Sequence, residues 1–359
     1  MSAPHFHALK VKDVRRETAE CVSLAFDVPP ELAGRFRYTQ GQYLNLRKRL
    51  DGEELRRSYS ICSSPDEDEL RVAVKHVPEG RFSSWANGAL EPGGVIEVMP
   101  PEGHFFVPLD PGNAKHYVAF AGGSGITPVI SLIKTTLARE ARSRFTLVYG
   151  NRSLDTVIFN EALEDLKDRY LARFALYHVF SRDPQEVELF NGRLDRARLA
   201  RFLELLIPVA TIDEAFVCGP EGMMADVEAG LEARGLARAR IHLERFGVPA
   251  PRTAARTAAP PQPGAGTSQV TVIVDGVRHR LALAPDGPSV LDAALRAGAE
   301  LPYACKAGVC CTCRARLVEG EVRMDANYTL EDGEVAQGFR LTCQAHPVTP
   351  RVVLDYDQR

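Results

Sequence analysis

The sequence predicts a multidomain protein of α+β and α/β classes, in which an antiparallel β-barrel precedes a parallel-sheet α/β domain and a small C-terminal domain. Three observations carry this prediction. Short strand patterns with frequent turns fill the first hundred residues, apolar strands then alternate with helical segments, and five of the eight cysteines crowd between Cys305 and Cys343. A chain of 359 residues is long enough for two or three domains.

The composition is that of an ordinary globular protein and excludes several functional classes. Apolar residues make up 45% and charged residues 25% of the chain, and 44 basic against 47 acidic side chains leave a formal net charge of -3. This balance predicts no affinity for nucleic acid or for an anionic membrane. No apolar run approaches the roughly 18–20 residues that cross a bilayer, and no signal-peptide pattern is seen, so we expect a cytoplasmic protein.

Residues 1–109 carry the barrel prediction. Alternating apolar residues from Val22 to Val28 are typical of a half-buried strand. Further apolar runs are bounded by turn residues such as Asp51-Gly52, which is the pattern of short strands in a small barrel. These runs are Tyr43–Leu46, Leu70–Lys75 and Val95–Val98.

Residues 110–248 alternate strand and helix patterns, which predicts a parallel sheet with crossover helices. The predicted strands are Tyr117–Ala121, Phe145–Tyr149, Ala175–Phe180 and Glu214–Cys218. The predicted helices are Val129–Arg139, Phe159–Tyr170, Arg196–Leu205 and Gly222–Arg234.

Residues 249–268 are rich in proline and alanine and hold no large aliphatic or aromatic residue, so we expect an exposed linker, with a fixed surface loop as the alternative. The domain at 269–359 then begins with a predicted hairpin around Asp275-Gly276. A short helix follows, with Ser289 as its N-cap and Gly298 at its end.

The cysteines of this last domain carry the strongest chemical signal. Cys305, Cys310, Cys313 and Cys343 have the spacing C-x4-C-x2-C…C, which is that of plant-type [2Fe–2S] centres. A structural zinc site is the alternative, but zinc sites usually pair their cysteines twice rather than crowding three in one loop. Cys311 falls outside the pattern and is interpreted as a packing residue. The domain resembles the plant-type ferredoxins, which implies a β-grasp fold.

Two motifs in the barrel region resemble the ferredoxin–NADP reductase family. They are Arg57-Ser-Tyr-Ser60 and, about twenty residues on, Gly80-Arg-Phe-Ser83. The glycine lets the backbone approach a ligand, and backbone N–H groups can bind phosphate. The resemblance implies a flavin with Tyr59 packed on its ring, Ser60 near its N5 atom and the remaining motif residues at its diphosphate. The flavin- and nucleotide-binding residues expected in this region are Arg57, Tyr59, Ser60, Lys75, Gly80, Phe82 and Ser83.

The segment after the strand ending at Ala121 is rich in glycine and includes Gly123 and Gly125. Thr127 is predicted to cap the next helix, with Pro128 as its first residue. Glycines at that position leave a helix N-terminus open to an anion. The same reductase family carries a similar element on its nicotinamide-binding domain, so the resemblance implies a nucleotide site here.

Three further positions follow the pattern of that family. Cys218 and Gly219 end a strand where the family places a cysteine near the nicotinamide, although a buried packing thiol is the alternative for Cys218 alone. Glu244 precedes Phe246 by two positions, and the family ends on a similar aromatic that covers the flavin. Here a further domain follows, so Phe246 must lie differently or move. Ser60, Cys218 and Glu244 are therefore expected around hydride transfer.

The choice between NADPH and NADH depends on charge, because the 2′-phosphate needs cations or hydroxyl groups. Ser181 and Arg182 follow one predicted strand and Arg152 follows another. The Ser-Arg pair resembles the position that binds NADP in this family, so NADPH is preferred, with NADH as the alternative.

The order of flavin, nicotinamide and cluster domains resembles that of the reductase components of bacterial multicomponent oxygenases. Within them the chain is most similar to the branch that serves phenylacetyl-CoA epoxidases, which implies FAD, NADPH and a multi-subunit di-iron epoxidase as partner. Phthalate-dioxygenase-type reductases share the domain order but use FMN, so FMN stays open. The alternatives are a reductase for another oxygenase, or a redox sensor or carrier that takes no electrons from nicotinamide.

Overall fold

The computed structural model describes residues 5–247 and 266–358. By its internal contacts the chain forms two units, one made of nearly all of residues 7–246 and the other mainly of the residues after 266. Most of the predicted linker, at 249–265, lies outside the described residues, and its last residue, Ser268, begins a strand. The domain bounds 1–109, 110–248 and 269–359 stay a proposal. Within the described ranges, no helix is both long and apolar enough to cross a membrane.

Six strands of the first unit form an antiparallel sheet that closes into a barrel, in the order β4-β3-β6-β1-β2-β5. Ile61, one residue past β4, closes the barrel by bridging Val72 on β5. The elements in chain order are β1 (His7–Thr18), β2 (Cys21–Asp27), β3 (Tyr43–Leu50), β4 (Glu53–Ser60), β5 (Leu70–Lys75), α1 (Arg81–Gly88) and β6 (Val95–Val98).

Strand β2 is buried on both faces, not half-buried as its alternation predicts. Val22, Leu24 and Phe26 fill the barrel, whereas Cys21 on the opposite face belongs to the core beneath the parallel sheet. The alternation is correct, but the face of β2 that it predicts to be exposed is covered by other parts of the same unit.

A buried cation, Arg71, fixes the polar part of that face. Its guanidinium contacts Asp13 at 2.5 Å and Glu69 at 2.7 Å and donates a hydrogen bond to the Ser23 hydroxyl at 2.7 Å. The hydrogen bonds from Arg71 lower the pKa of both carboxyls below their ordinary values of 3.8 and 4.5. The stability that these pairs contribute is therefore present above those pH values and is lost as the pH falls through the lowered pKa values.

Five strands of the same unit form a parallel sheet in the order β11-β10-β7-β8-β9. Strand β7 is apolar on both faces, with Tyr117 and Ala119 in one core and Val118 and Phe120 in the other, as a sheet covered by helices requires. The elements are β7 (His116–Gly122), α2 (Ile126–Arg139), β8 (Arg144–Asn151), α3 (Asn160–Arg169), β9 (Phe174–Phe180), α4 (Arg196–Leu205), β10 (Glu214–Cys218), α5 (Glu221–Glu232) and β11 (Ile241–Glu244).

The second unit contains a five-stranded mixed sheet in the order β13-β12-β18-β14-β16 and a two-stranded sheet of β15 and β17. The predicted hairpin and the Ser289 N-cap are present, the cap accepting a hydrogen bond from the Asp292 backbone. The elements are β12 (Ser268–Val274), β13 (Val277–Leu283), α6 (Val290–Arg296), β14 (Arg314–Glu319), β15 (Val322–Met324), α7 (Asp332–Ala336), β16 (Phe339–Leu341), β17 (Ala345–Pro347) and β18 (Arg351–Asp355).

We predict that Arg71→Ala lowers the free energy of unfolding by about 1–3 kcal/mol, because it removes a buried guanidinium and its charged hydrogen bonds to two partly exposed carboxylates. Arg15→Ala is the matched control, since Arg15 contacts the same two carboxylates from a side chain that is 60% exposed, and it should cost less than about 1 kcal/mol. Denaturant unfolding of the holoprotein measures both values, and equal losses would contradict the role of burial.

Candidate functional site

Two backbone loops meet closely at the carboxyl edge of the parallel sheet. Strands β7 and β10 are neighbours, and Ala121 pairs with Cys218, so the loops that follow them lie side by side. A Cβ at Gly125 would collide with the Cys218 carbonyl, and one at Gly219 would lie 2.6 Å from Met223 and 2.9 Å from the Gly122 nitrogen. Glycine is therefore required on both sides of this contact.

The helix after the glycine loop begins earlier than predicted. Helix α2 starts at Ile126 with Gly125 as its N-cap, and a 3₁₀ turn at Gly123–Gly125 leads into it. The prediction of Thr127 as N-cap and Pro128 as first residue is therefore wrong. Thr127 instead donates its hydroxyl to the Ser124 carbonyl, and Pro128 lies within the first turn, where its missing N–H costs nothing.

A cleft of about 590 Å³ opens at this edge, between the ends of β7, β8, β9 and β10 and the end of β5. The chain turns from one side of the sheet to the other around β7, and open α/β sheets bind their ligands at such a switch point. The predicted residues that line it are Lys75, Gly123, Arg152 and Ser181. The Lys75 ammonium lies close to Gly123, 3.7 Å from where a Cβ would stand there.

Arg193 is a second arginine of the cleft that the sequence patterns missed. It follows Gly192, whose amide donates to the Phe180 carbonyl at the end of β9 and so draws the segment to the sheet edge. Arg182 is exposed and does not line the cleft in the described structure, although its amide donates to the Arg152 carbonyl at 2.8 Å. Only a long-range contact reveals Arg193, which explains why local motifs point to Arg182.

Cys218 and Glu244 pair across the parallel strands β10 and β11. Burial raises the pKa of the Cys218 thiol well above its usual value, with a smaller contribution from Glu244, so the thiol stays protonated. Burial also raises the pKa of Glu244 to about 8, the side chain keeps part of its surface exposed, and the described residues offer its carboxylate no ion-pair or hydrogen-bond partner. A carboxyl beside the cleft whose pKa is about 8 can hold or release a proton close to neutral pH.

The end of strand β4 presents Tyr59 and Ser60. The Ser60 side chain is buried, and none of the described residues forms a hydrogen bond with it. The centre of the half-buried Tyr59 ring lies 5.6 Å from the centre of the Phe82 ring, and Phe82 packs edge-on against Trp85. A hydroxyl that bonds none of the described residues, beside an aromatic surface, fits an isoalloxazine ring with a hydrogen-bonding edge.

The predicted phosphate-binding segment forms the first turn of helix α1. Gly80 is the N-cap, and the helix has no side-chain cap, so its first N–H groups remain available to an anion. A Cβ at Gly80 would lie 2.5 Å from the Ser83 hydroxyl, and that hydroxyl accepts a hydrogen bond from the Val77 amide. Ser83 therefore orders the loop, and the backbone N–H groups are the better candidates for contact with a diphosphate.

Two hydroxyl contacts connect this barrel region to helix α2. Ser131 donates to the Ser63 carbonyl at 2.7 Å, and the hydroxyls of Ser64 and Thr135 lie 3.0 Å apart. Helix α2 begins at the glycine loop, and Ser63 lies three residues past Ser60. These buried contacts therefore hold the nucleotide cleft in fixed register with the end of β4.

The four predicted cluster ligands lie together in the second unit. The Thr342 amide donates to the Cys313 carbonyl at 3.2 Å, which holds Cys343 beside the loop that carries the other three cysteines. The Ala307 amide donates to the Cys305 sulfur at 3.3 Å and the Cys305 amide to the Cys310 sulfur at 3.4 Å. Backbone donors aimed at sulfur fit thiolate ligands of a [2Fe–2S] cluster.

The remaining predicted residues have these places. Arg57 is exposed on β4, and its guanidinium donates to the Arg56 carbonyl at 2.7 Å. Phe246 follows β11 with 49% of its side chain exposed, so it differs from a buried aromatic cover. Cys311 is buried in the core of its own unit, as predicted for a packing residue.

Fold and sites together define a flavin- and nicotinamide-dependent iron–sulfur oxidoreductase. Residues 8–107 match the family model of the oxidoreductase FAD-binding domain, residues 120–229 that of the oxidoreductase NAD-binding domain, and residues 272–348 that of the 2Fe-2S iron-sulfur cluster binding domain. The antiparallel barrel, the parallel sheet and the ferredoxin-type domain predicted from sequence are thereby confirmed.

The chain belongs to the family of reductase components of oxygenase systems. It is 45% identical to one of the subunits of the 1,2-phenylacetyl-CoA epoxidase of Escherichia coli (strain K12), over 99% of this chain and 98% of that protein. It is 34% identical to the ferredoxin reductase component of 3-ketosteroid-9-alpha-monooxygenase from Rhodococcus rhodochrous, over 97% and 96%. The solved structure of phthalate dioxygenase reductase has the same fold, with a TM-score of 0.59 at 24% identity over 98% of both chains.

We predict that the rate of flavin reduction by the nucleotide rises as the pH passes about 8 and that Glu244→Gln abolishes this rise. Hydride loss leaves a positive nicotinamide ring, which a newly formed carboxylate stabilises. Stopped-flow reduction between about pH 6.5 and 9.5 brackets that pKa and measures the profile. Glu221→Gln is the control, because Glu221 is paired with Arg245 and should keep the step. If the rate of flavin reduction still rises near pH 8 in Glu244→Gln, the pH dependence does not come from Glu244.

Proposed function

We propose that this reductase takes electrons from NADPH and delivers them through FAD and its [2Fe–2S] cluster to a multi-subunit di-iron epoxidase acting on phenylacetyl-CoA. The supporting observation is the 45% identity to a component of the phenylacetyl-CoA epoxidase of Escherichia coli, which extends over nearly the entire length of both proteins. The bound cofactors supply the conversion of a two-electron hydride into single electrons. None of the eight cysteines, all of which lie in the described ranges, forms a disulfide, which fits a reducing compartment such as the cytoplasm.

The residues of this chain bind and orient the reactants. We assign the nicotinamide end of the nucleotide to the edge near Cys218 and Glu244, where the two glycine loops allow close approach. Ser60 offers its hydroxyl to the flavin edge, and Tyr59 packs against the flavin ring. The fixed register between β4 and α2 then brings the two rings together, which is the geometric condition for hydride transfer.

NADPH is proposed on the basis of the arginines of the cleft. Arg152 and Arg193 both line it, together with the Ser181 hydroxyl. Two guanidinium groups and a hydroxyl at the ends of β8 and β9 form a suitable site for a 2′-phosphate, because guanidinium binds phosphate through two parallel hydrogen bonds. NADH carries only a hydroxyl at that position and gains little binding free energy from the two guanidinium groups.

An anaerobic titration with NADPH tests the electron path. In the wild-type protein we expect the flavin absorption to bleach and the paramagnetic signal of a reduced [2Fe–2S] cluster to appear. Cys305→Ser should lose the cluster signal and keep flavin bleaching, whereas Cys311→Ser, its matched control, should keep both. A full cluster in Cys305→Ser would refute the ligand assignment, and no bleaching of wild-type flavin with either nucleotide would refute the reductase function.

The acceptor is tested by turnover. Purified protein should support epoxidation of phenylacetyl-CoA by the oxygenase components of that system and should give no turnover with a 3-ketosteroid monooxygenase oxygenase. The reverse result would keep the reductase class and reject the proposed partner.

For the nucleotide site, we predict that Arg193→Ala raises the KM for NADPH about tenfold and leaves the KM for NADH nearly unchanged, because one charged hydrogen bond to phosphate contributes about 1.5 kcal/mol. Arg182→Ala should have the smaller effect, since Arg182 does not line the cleft in the described structure. Steady-state kinetics with an artificial acceptor measure both. A larger effect of Arg182→Ala would return the assignment to that residue.

A further inference from the structure

An ion pair stands at the nucleotide cleft that none of the expected roles explains. Arg152, which lines the cleft, donates from Nη2 to Oε2 of Glu20 at 2.8 Å. Glu20 lies 132 residues away in the turn between β1 and β2, so the pair joins the barrel to the parallel sheet within one unit.

The fold places both partners firmly. The Glu20 carbonyl accepts a hydrogen bond from the His76 amide at 2.7 Å, and its amide donates to the Thr18 hydroxyl at 3.2 Å. The Arg152 carbonyl accepts from the Arg182 amide at 2.8 Å. Because the backbone is held on both sides, the two side chains start from fixed positions within reach of each other.

We propose that Glu20 is a specificity-determining residue that limits the preference for NADPH, because its carboxylate competes with the 2′-phosphate for Arg152. This inference rests on the proposed assignment of Arg152 to that phosphate. A phosphate that approaches the guanidinium either displaces the carboxylate or remains beside a like charge. Both outcomes cost binding free energy for NADPH, and neither applies to NADH, which carries a neutral hydroxyl at that position.

The size of the effect follows from exposure. The side chains of Arg152 and Glu20 are 43% and 47% exposed, so water and salt screen the pair and it is readily displaced. Exposed pairs of this kind contribute up to about 1 kcal/mol, which corresponds to a change in affinity of about two- to fivefold. Glu20 therefore adjusts the nucleotide preference without blocking the site.

The test measures the dissociation constants of NADPH and NADH from the concentration dependence of flavin reduction in the full-length holoprotein. Glu20→Gln should lower the value for NADPH about two- to fivefold and leave that for NADH unchanged, and the difference should shrink at high ionic strength. An unchanged or raised value for NADPH overturns the proposal, the raised value showing that Glu20 orients Arg152 for the phosphate.

A matched control variant is available on the same two domains. Asp66 pairs with Arg139, the last residue of α2, at 2.6 Å, with exposures of 44% and 42%. Asp66→Asn removes the same charge from a pair of the same kind that does not line the cleft, so both dissociation constants should stay unchanged. If Asp66→Asn raises the affinity for NADPH by the same factor, the effect of Glu20→Gln comes from the change in net charge, and the proposal is overturned.

Arg152→Ala separates this inference from the proposed function. It should raise the dissociation constant of NADPH, and Glu20→Gln should then have no further effect in that background. If Arg152→Ala leaves NADPH binding unchanged, the assignment of the phosphate site fails and the inference fails with it. The remaining outcome is that Arg152→Ala weakens NADPH binding while Glu20→Gln still changes it in the Arg152→Ala background. In that case the assignment of Arg152 to the phosphate is kept, and only the competition between Glu20 and the phosphate is overturned.

Discussion

The close contact of two glycine loops at the carboxyl edge of the parallel sheet is the constraint on which the nucleotide site depends. The parallel register of β7 and β10 carries both loops out of the sheet side by side, and side chains at Gly125 or Gly219 would separate them. The same register places Cys218 beside Glu244 and leaves the cleft open at the switch point of the sheet. The backbone of the two loops therefore determines the shape of the cleft, and the charged side chains add their interactions to that shape.

Elements that depend on local pattern could be predicted from the sequence. Strands Leu70–Lys75 and Val95–Val98 and helix Arg196–Leu205 have their predicted bounds, because turn residues and apolar periodicity mark both ends. The cluster spacing belongs to the same class, since the four ligands follow from one loop and one further cysteine. A pattern of this kind needs no knowledge of neighbouring elements.

Features that depend on tertiary contact could not be predicted. Helix α2 starts at Ile126 because the 3₁₀ turn packed against Cys218 directs the chain into it, which outweighs the capping preference of Thr127. Arg193 reaches the cleft through a contact with the end of β9, and Glu20 meets Arg152 from 132 residues away. Neither contact leaves a periodic or local trace in the sequence.

The charged groups of this unit differ in burial, and buried and exposed pairs have different effects. Buried pairs contribute to stability, whereas exposed pairs at the cleft can be displaced by a ligand. Arg71 is buried, so its removal takes charged hydrogen bonds away from Asp13, Glu69 and Ser23 inside the fold and acts on stability. Arg152 and Glu20 are about half exposed, so their pair is weak, screened by salt and open to displacement by a ligand phosphate. If Arg152 binds the 2′-phosphate as proposed, substitutions among such exposed charges act on the affinity for NADPH and leave the buried hydroxyl contacts between Ser63–Ser64 and α2 in place. Under that proposal, the preference for the nucleotide and the geometry of hydride transfer depend on separate residues of this chain.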